Sequence, residues 1–445
     1  MARRVRRNLV LGVGVALAAA VLALGRDEDR VAANLGRSDV ANAAPAELAA
    51  PATVAAAAPA PAPVLVPEAA PVLPPPRPSP APLAAPAGPT VDLARMELRG
   101  DRFVAPMSDG RTAVLTLDPA IQAVAEKVLK RARAPRGAIV VTHPDGRILA
   151  LAGRRTEDPT GAGEGIDDPR MALEAWAPSA SVFKVVSAAA LVEAGVKRSD
   201  KVCYHGGVRS VTESNLGNSP QDSRCEDLAF GVSHSQNAII AKLVHQHVAP
   251  RQLAEVARRL GFGRALPLPT AAEFGKVDVP DTKGLDFART AAGFTGVELS
   301  AVGGALLANT VATGGVAAPP RLIAAYLDGD AETPSQAGAP ERVLEETVAD
   351  ELAVMMAETC TDGSAAKAFT GRDRIPGVEV AGKTGTLSGS EPFYMQYSWF
   401  VGFAPTSKPQ LSVSVILGNP EKWQLKAHTA ARMVLVEALR SRAGS

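Results

Sequence analysis

Beyond residue 109 the apolar positions of the chain follow two rhythms. Between residues 119 and 133, Ile121, Val124, Ala125, Val128 and Leu129 recur at three- and four-residue spacing, which lays them on one helical face. Residues 137–142 contain instead the apolar run Ala138-Ile139-Val140-Val141, the pattern of a buried strand. His143-Pro144-Asp145-Gly146 reads as a hairpin turn and 147–152 as the returning strand. Helices are predicted over 182–194 (stopped by Gly195), 228–248, 250–260 (before Gly261), 299–313 (before Gly314-Gly315), 346–359 and 429–440. Strands are predicted over 112–117, after the turn Asp109-Gly110, and over 378–381, 397–403 and 410–417. Strands at both ends with helices between them predict an α/β (α+β) sandwich with a mostly antiparallel sheet.

The N-terminal part is patterned differently. Residues 1–8 form a basic stub with Arg3, Arg4, Arg6 and Arg7, followed by the uncharged stretch 9–25. That stretch is a transmembrane anchor or a signal peptide, with Ala18-Ala19-Ala20 as a cleavage site. The arginines before it and Arg26-Asp27-Glu28-Asp29-Arg30 after it favour a single-pass anchor in the cell inner membrane, with the rest of the chain extracytoplasmic. Residues 26–90 read as a disordered tether. Ala and Pro dominate 41–90, so that segment is semi-rigid and spans on the order of 150 Å in polyproline form. The folded domain is expected over 91–445.

Composition removes several functions. With 47 Lys+Arg against 46 Asp+Glu, no electrostatic case for a nucleic-acid partner exists. The three cysteines lack zinc spacing, and His245 and His247, two apart on a predicted helix, face different ways. No metal and no cofactor are expected.

Chemistry is concentrated in three short motifs. Ser181-Val182-Phe183-Lys184 opens an apolar helix. Three residues along a helix bring Lys184 Nζ toward Ser181 Oγ, so the amine can act as the base a serine nucleophile needs. That requires a depressed lysine pKa, which burial and a second cation such as Lys383 would supply. The Ser181 N–H, at a helix start, can face a developing oxyanion. Ser179 has no lysine three residues on. In Ser235-Gln236-Asn237 the hydroxyl can relay a proton, and the Asn237 amide can hold Lys184 and a substrate backbone. In Lys383-Thr384-Gly385-Thr386 a cation and two hydroxyls suit a terminal carboxylate, Gly385 lets a substrate backbone approach, and the Thr386 N–H can complete an oxyanion hole. Alone, each motif reads equally as a helix-start serine beside a snorkelling lysine, a cap, or a polar turn.

In this order, Ser-x-x-Lys, Ser-x-Asn and Lys-Thr-Gly resemble the motifs of penicillin-recognising serine enzymes, and the chain resembles the transpeptidase domain of penicillin-binding proteins. Gly146–Leu151, Leu260-Gly261-Phe262-Gly263, Gly363-Ser364-Ala365 and Trp399–Pro405 extend the likeness. Ser179-Ala180 before the nucleophile and Glu298-Leu299-Ser300 depart from the usual pattern.

The resemblance implies a five-stranded antiparallel sheet flanked by helices, plus an all-helical subdomain. It also implies an acyl-enzyme on Ser181 formed from D-alanyl-D-alanine stem peptides of peptidoglycan, and covalent capture of β-lactam antibiotics. Cell-wall synthesis partners are a further expectation, as is a minimal anchored form with too little chain before Val91 for a glycosyltransferase domain. A serine β-lactamase, a D,D-carboxypeptidase and a non-enzymatic β-lactam sensor or scaffold stay open as alternatives. Between residues 235 and 383 no Glu-x-x-Leu-Asn pattern appears, the element that activates water in one β-lactamase class. In an exported chain Cys203 and Cys225 are expected to pair, leaving Cys360 free, although three cysteines allow three pairings.

Overall fold

The computed structural model describes residues 86, 88–156, 165–390 and 393–443. The chain divides into two units, Met1–Arg77 and Pro78–Ser445, and the second contains everything described here. The expected anchor or signal segment, and the tether up to residue 85, lie outside the described residues. Among the described residues no helix is long and apolar enough to cross a membrane.

The central sheet is built from β1 (Arg136–Thr142), β2 (Ile148–Arg155), β3 (Ala381–Gly389), β4 (Met395–Ala404) and β5 (Leu411–Asn419). Their order is β3-β4-β5-β1-β2, antiparallel throughout, and Ile166–Asp167 adds a two-residue sixth strand beside β2. β5 and β1 are central, and both faces of the sheet are covered, which explains the apolar run Ala138–Val141 of β1 and the burial of every residue of β5.

Ile139, Val141, Val413, Val415 and Phe400 pack with α1 (Pro119–Ala132) and the last helix. On the opposite face Ala138, Val140, Ile416 and Val401 meet the helical layer. Working along the chain, that layer comprises α2 (Lys184–Glu193), α3 (Leu228–Ser233), α4 (Asn237–His247), α5 (Pro250–Arg259), α6 (Leu285–Ala292), α7 (Ala301–Ala312) and α8 (Glu346–Thr361), and the last helix is α9 (Ala427–Ala443).

Helix α7 lies directly on β5, and a glycine makes the approach possible. A Cβ at Gly304 would sit 2.5 Å from Ser414 Oγ and 2.9 Å from Val401 Cγ1. Helix α2 is buried along almost its whole length, because its apolar residues are distributed around every face.

Four expectations are corrected. The helix predicted over 228–248 is two helices, broken where Ser235 takes a φ of 58°. Apolar periodicity continues across the break, whereas the separate caps Asp227 and Gln236 mark two starts. The strand predicted over 378–381 begins where that prediction ends, and its polar stretch Lys383–Thr386 lies within β3, an edge strand beside the cleft. The strand predicted over 112–117 (Thr112–Leu115) joins a separate five-stranded sheet with Glu97–Arg99, Arg102–Pro106, Ile323–Asp328 and Ala331–Pro334. The subdomain is not wholly helical, since it also contains the hairpin Lys201–Tyr204/Arg224–Asp227 and a three-stranded sheet ending in Ala177–Pro178.

Substituting Gly304→Val should force α7 off the sheet and lower stability by roughly 1–3 kcal/mol. Denaturant unfolding should show a lower midpoint at an unchanged slope.

Candidate active site

The approach to Ser181 is fixed from three sides. Ala177–Pro178 pairs with Val297–Leu299, and Trp399 of β4 donates from Nε1 to the Pro178 carbonyl at 2.8 Å. Ala180 then turns through a φ of 48°. Against it lies Gly293, the left-handed C-cap of α6, where a Cβ would fall 1.9 Å from the Ala180 carbonyl oxygen. The 3₁₀ turn Ala180–Phe183 follows, with Val182 and Phe183 buried and Ser181 half-buried at the cleft. From the sheet side Gly385 lets β3 come close: a Cβ there would sit 3.2 Å from Ser179 O and 3.3 Å from Ala180 Cβ.

Three motifs converge on two buried amines. Lys184 Nζ lies 2.5 Å from Ser181 Oγ, donates to Asn237 Oδ1 at 2.6 Å, and is 3.4 Å from Ser235 Oγ. Lys383 Nζ donates to the same Ser235 hydroxyl at 3.0 Å and to the Thr384 carbonyl at 2.9 Å. Ser235 therefore bridges the two lysines, and its positive φ turns the hydroxyl in between them. Both lysine side chains are inaccessible to solvent. Burial, with Lys383 as a second cation, holds Lys184 well below the ordinary lysine range. Burial alone brings Lys383 down to about 7.

All eight expected chemical residues contribute to one constellation. Ser181, Ser235, Asn237, Thr384, Gly385 and Thr386 line a cleft of about 600 Å³, and Lys184 and Lys383 lie beneath it, bonded to its lining. Cys203 and Cys225 form a disulfide away from the cleft lining, and Cys360 is free and buried. Among the described residues no group of three or more His, Cys, Asp or Glu is arranged to hold a metal ion.

Sequence reasoning missed several lining residues. Ser364 meets Thr384 hydroxyl to hydroxyl at 2.6 Å, and Gly363 allows this by packing against the Ser233 carbonyl, 2.3 Å from where its Cβ would be. Arg209, Lys426 and His428 also face the cleft, the last pushed down to about 4 by burial and by Lys426. Only the adjacent glycines Gly206-Gly207 signalled that the chain near 209 turns sharply.

A serine touched by a buried lysine, a second lysine on the neighbouring strand and a hydroxyl between them, set on a helix-flanked antiparallel sheet, define a penicillin-recognising serine-enzyme domain. The family model for the penicillin binding protein transpeptidase domain matches residues 137–436, and the chain belongs to that family.

Among relatives, penicillin-binding protein PbpB of Mycolicibacterium smegmatis is 27% identical over 342 residues, 71% of this chain and 51% of the relative. The peptidoglycan D,D-transpeptidase PbpA of Mycobacterium tuberculosis is 27% identical over 315 residues, 64% of this chain and 62% of the relative. The chain thus spans between half and two thirds of the length of these curated relatives. The crystal structure of PBPA from M. tuberculosis is similar with a TM-score of 0.61 at 25% identity, covering 74% of this chain and 83% of that one. Its imipenem acyl-enzyme complex is similar with a TM-score of 0.58 at 25% identity, over 74% and 80% of the two chains.

The buried lysines make stability depend on pH in a defined direction. Lys383 binds its proton with a pKa of about 7 when folded and about 10.5 when unfolded, so between those values the unfolded chain holds more protons. Stability from this group is lacking at low pH and is gained as pH rises through that window. Lys383→Met should therefore flatten the rise in Tm from neutral to alkaline pH, which thermal scans across that range would read directly.

Proposed function

We propose that this chain is a peptidoglycan D,D-transpeptidase that works through an acyl-enzyme on Ser181. The observation that carries the reading is the 2.5 Å contact of Ser181 Oγ with Lys184, a lysine buried without solvent contact and bridged to Lys383 through Ser235. Lys184, neutral, takes the Ser181 proton as the hydroxyl attacks the penultimate D-alanyl carbonyl. The Ser181 and Thr386 N–H groups hold the oxyanion. Ser235 passes the proton to the departing D-alanine amine, and Lys383, Thr384 and Thr386 bind that residue's carboxylate. The donor peptide lies along the open edge of β3, where Gly385 leaves room, and Asn237 Oδ1 accepts from both Lys184 and a peptide N–H.

An amine from a second stem peptide then takes the acyl group, or water does so in a carboxypeptidase. β-Lactams enter by the same attack. The relative PbpA carries the name peptidoglycan D,D-transpeptidase, and the similar PBPA structure holds imipenem as an acyl-enzyme, which supports the assignment. The segment 9–25 serves as the membrane anchor in this reading, with cell-wall synthesis partners meeting the protein at the membrane.

No carboxylate stands among the described residues lining the cleft, so none is placed there to activate a deacylating water. This favours transpeptidation over β-lactamase action.

Product analysis on the full-length chain, with a D-alanyl-D-alanine donor peptide and with or without an acceptor amine, tests the reading. Cross-linked product that requires the amine is expected, and release of free acid alone would replace it with the carboxypeptidase. Fluorescent penicillin should label the wild type and leave Ser181→Ala unlabelled. Lys184→Arg should acylate roughly 10²–10⁴-fold more slowly, because a guanidinium keeps its charge but gives up no proton at neutral pH. With excess penicillin, one burst equal to the enzyme concentration and then only a slow drift is expected. Sustained turnover would replace the transpeptidase with a β-lactamase.

A further inference from the structure

The hairpin Lys201–Tyr204/Arg224–Asp227 opens into a loop, 205–223, that reaches the cleft. At its start Gly206 and Gly207 take φ values of 59° and 73°. A Cβ at Gly207 would lie 2.4 Å from Ala238 Cβ and 2.6 Å from Ala238 N, so the loop lies flat on the first turn of α4. There Asn237 Nδ2 donates to the carbonyls of Gly207 (2.8 Å) and Val208 (3.3 Å). These contacts decide which way the Asn237 amide faces. Its NH₂ can only donate and so belongs with the loop carbonyls, which leaves Oδ1 for Lys184.

The same loop is bolted to α4 a second time. Lys242, on the helix that begins with Asn237, donates to Asp222 Oδ2 and to the Cys203 carbonyl, both at 2.7 Å. The Lys242 and Asp222 side chains are only 1% and 7% exposed. Asp222 Oδ1 lies 2.7 Å from His205 Nδ1, and Asn215 Nδ2 donates to the His205 carbonyl at 2.9 Å. His205 Nε2 is 3.0 Å from Ser214 Oγ, so Ser214, His205 and Asp222 stand in a row. Held by Lys242 at its Asp222 end, the row braces the loop. A buried ion pair is a poor source of stability, since desolvating both charges offsets most of their attraction. What this pair does supply is a fixed distance between the loop and α4.

We propose that Asp222 and Lys242 are positioning residues for acylation: by fixing the 205–223 loop on α4 they hold the Asn237 amide with Oδ1 toward Lys184. The inference rests on the roles given above to Ser181 and Lys184. Neither residue lines the cleft. Both act through Asn237.

The test is the single-turnover rate of acylation of the full-length chain by fluorescent penicillin, followed across neutral and alkaline pH and expressed per acylable site. Asp222→Asn and Lys242→Met should lower the plateau rate by roughly ten- to a hundredfold, the scale of a misplaced catalytic group. They should also move the midpoint to lower pH, because the Lys184 ammonium loses an amide acceptor. The double variant Asp222→Asn/Lys242→Gln restores a neutral hydrogen bond and should recover rate and midpoint together. A merely structural role would lower the acylable fraction and leave both unmoved at the sites that remain, and that result would overturn the proposal. If the single variants do not fold, His205→Ala loosens the loop without stripping a buried charge. It should shift the midpoint the same way, and wild-type behaviour there would overturn the proposal. A wild-type chain that penicillin does not acylate would sink the reading of Ser181 itself, before any variant is compared.

Discussion

Two lysines share one dry site, and the rest of the domain is arranged around that constraint. Lys184 and Lys383 are both inaccessible to solvent, and among the described residues neither has a carboxylate partner. Two ammonium groups so placed repel each other, and each loses its hydration. The site answers by surrounding them with neutral acceptors: the Ser181 and Ser235 hydroxyls, the Asn237 amide and the Thr384 carbonyl. Neutral acceptors leave the proton easy to remove, where a carboxylate would hold it in place. The tight packing of α2, β3 and α4 thus turns a stability cost into a lysine held well below its ordinary range.

The sheet sets where this happens. β3 is an edge strand, so its Lys-Thr-Gly stretch can turn one backbone edge to the cleft while its other edge pairs with β4. The small residues do a different job. Gly385, Gly293 and Gly363 sit where a strand, a helix end and a turn come within contact of the Ser181 turn or of the turn before Ser235. At Gly293 and Gly363 a backbone carbonyl occupies the space a side chain would need, and at Gly385 a Cβ would be tight against Trp399 Cβ and the Ser179 carbonyl.

Much of this was legible in the sequence, for physical reasons. A strand buried on both faces, such as β1, announces itself by an apolar run, Ala138–Val141, whereas β5 keeps Ser412 and Ser414 among its apolar residues. The motif residues could be placed because their chemistry fixes their spacing: a lysine one turn beyond a serine can reach it on any helix. Other features were hidden. The break at Ser235 is a backbone event inside a stretch whose apolar pattern never falters. The strand Thr112–Leu115 was visible as a strand, but its partners at Ile323–Asp328 lie some two hundred residues away, and pattern alone does not choose between sheets. Gly363-Ser364-Ala365 stood out only by its likeness to the family, and only the fold brings the Ser364 hydroxyl to Thr384.

The odd cysteine has a consequence of its own. Cys203 and Cys225 both lie on exposed positions of a hairpin, whereas Cys360 is sealed inside α8 against the sheet, where burial pushes its thiol far above the usual range. Disulfide exchange proceeds through the thiolate, so a thiol held protonated and out of reach is chemically silent. In the unfolded chain all three sulfurs compete. Once α8 docks, the competition is over. Packing of α8 thereby favours the Cys203–Cys225 bridge, and correct oxidation becomes a product of the hydrophobic core as well as of the cysteines themselves.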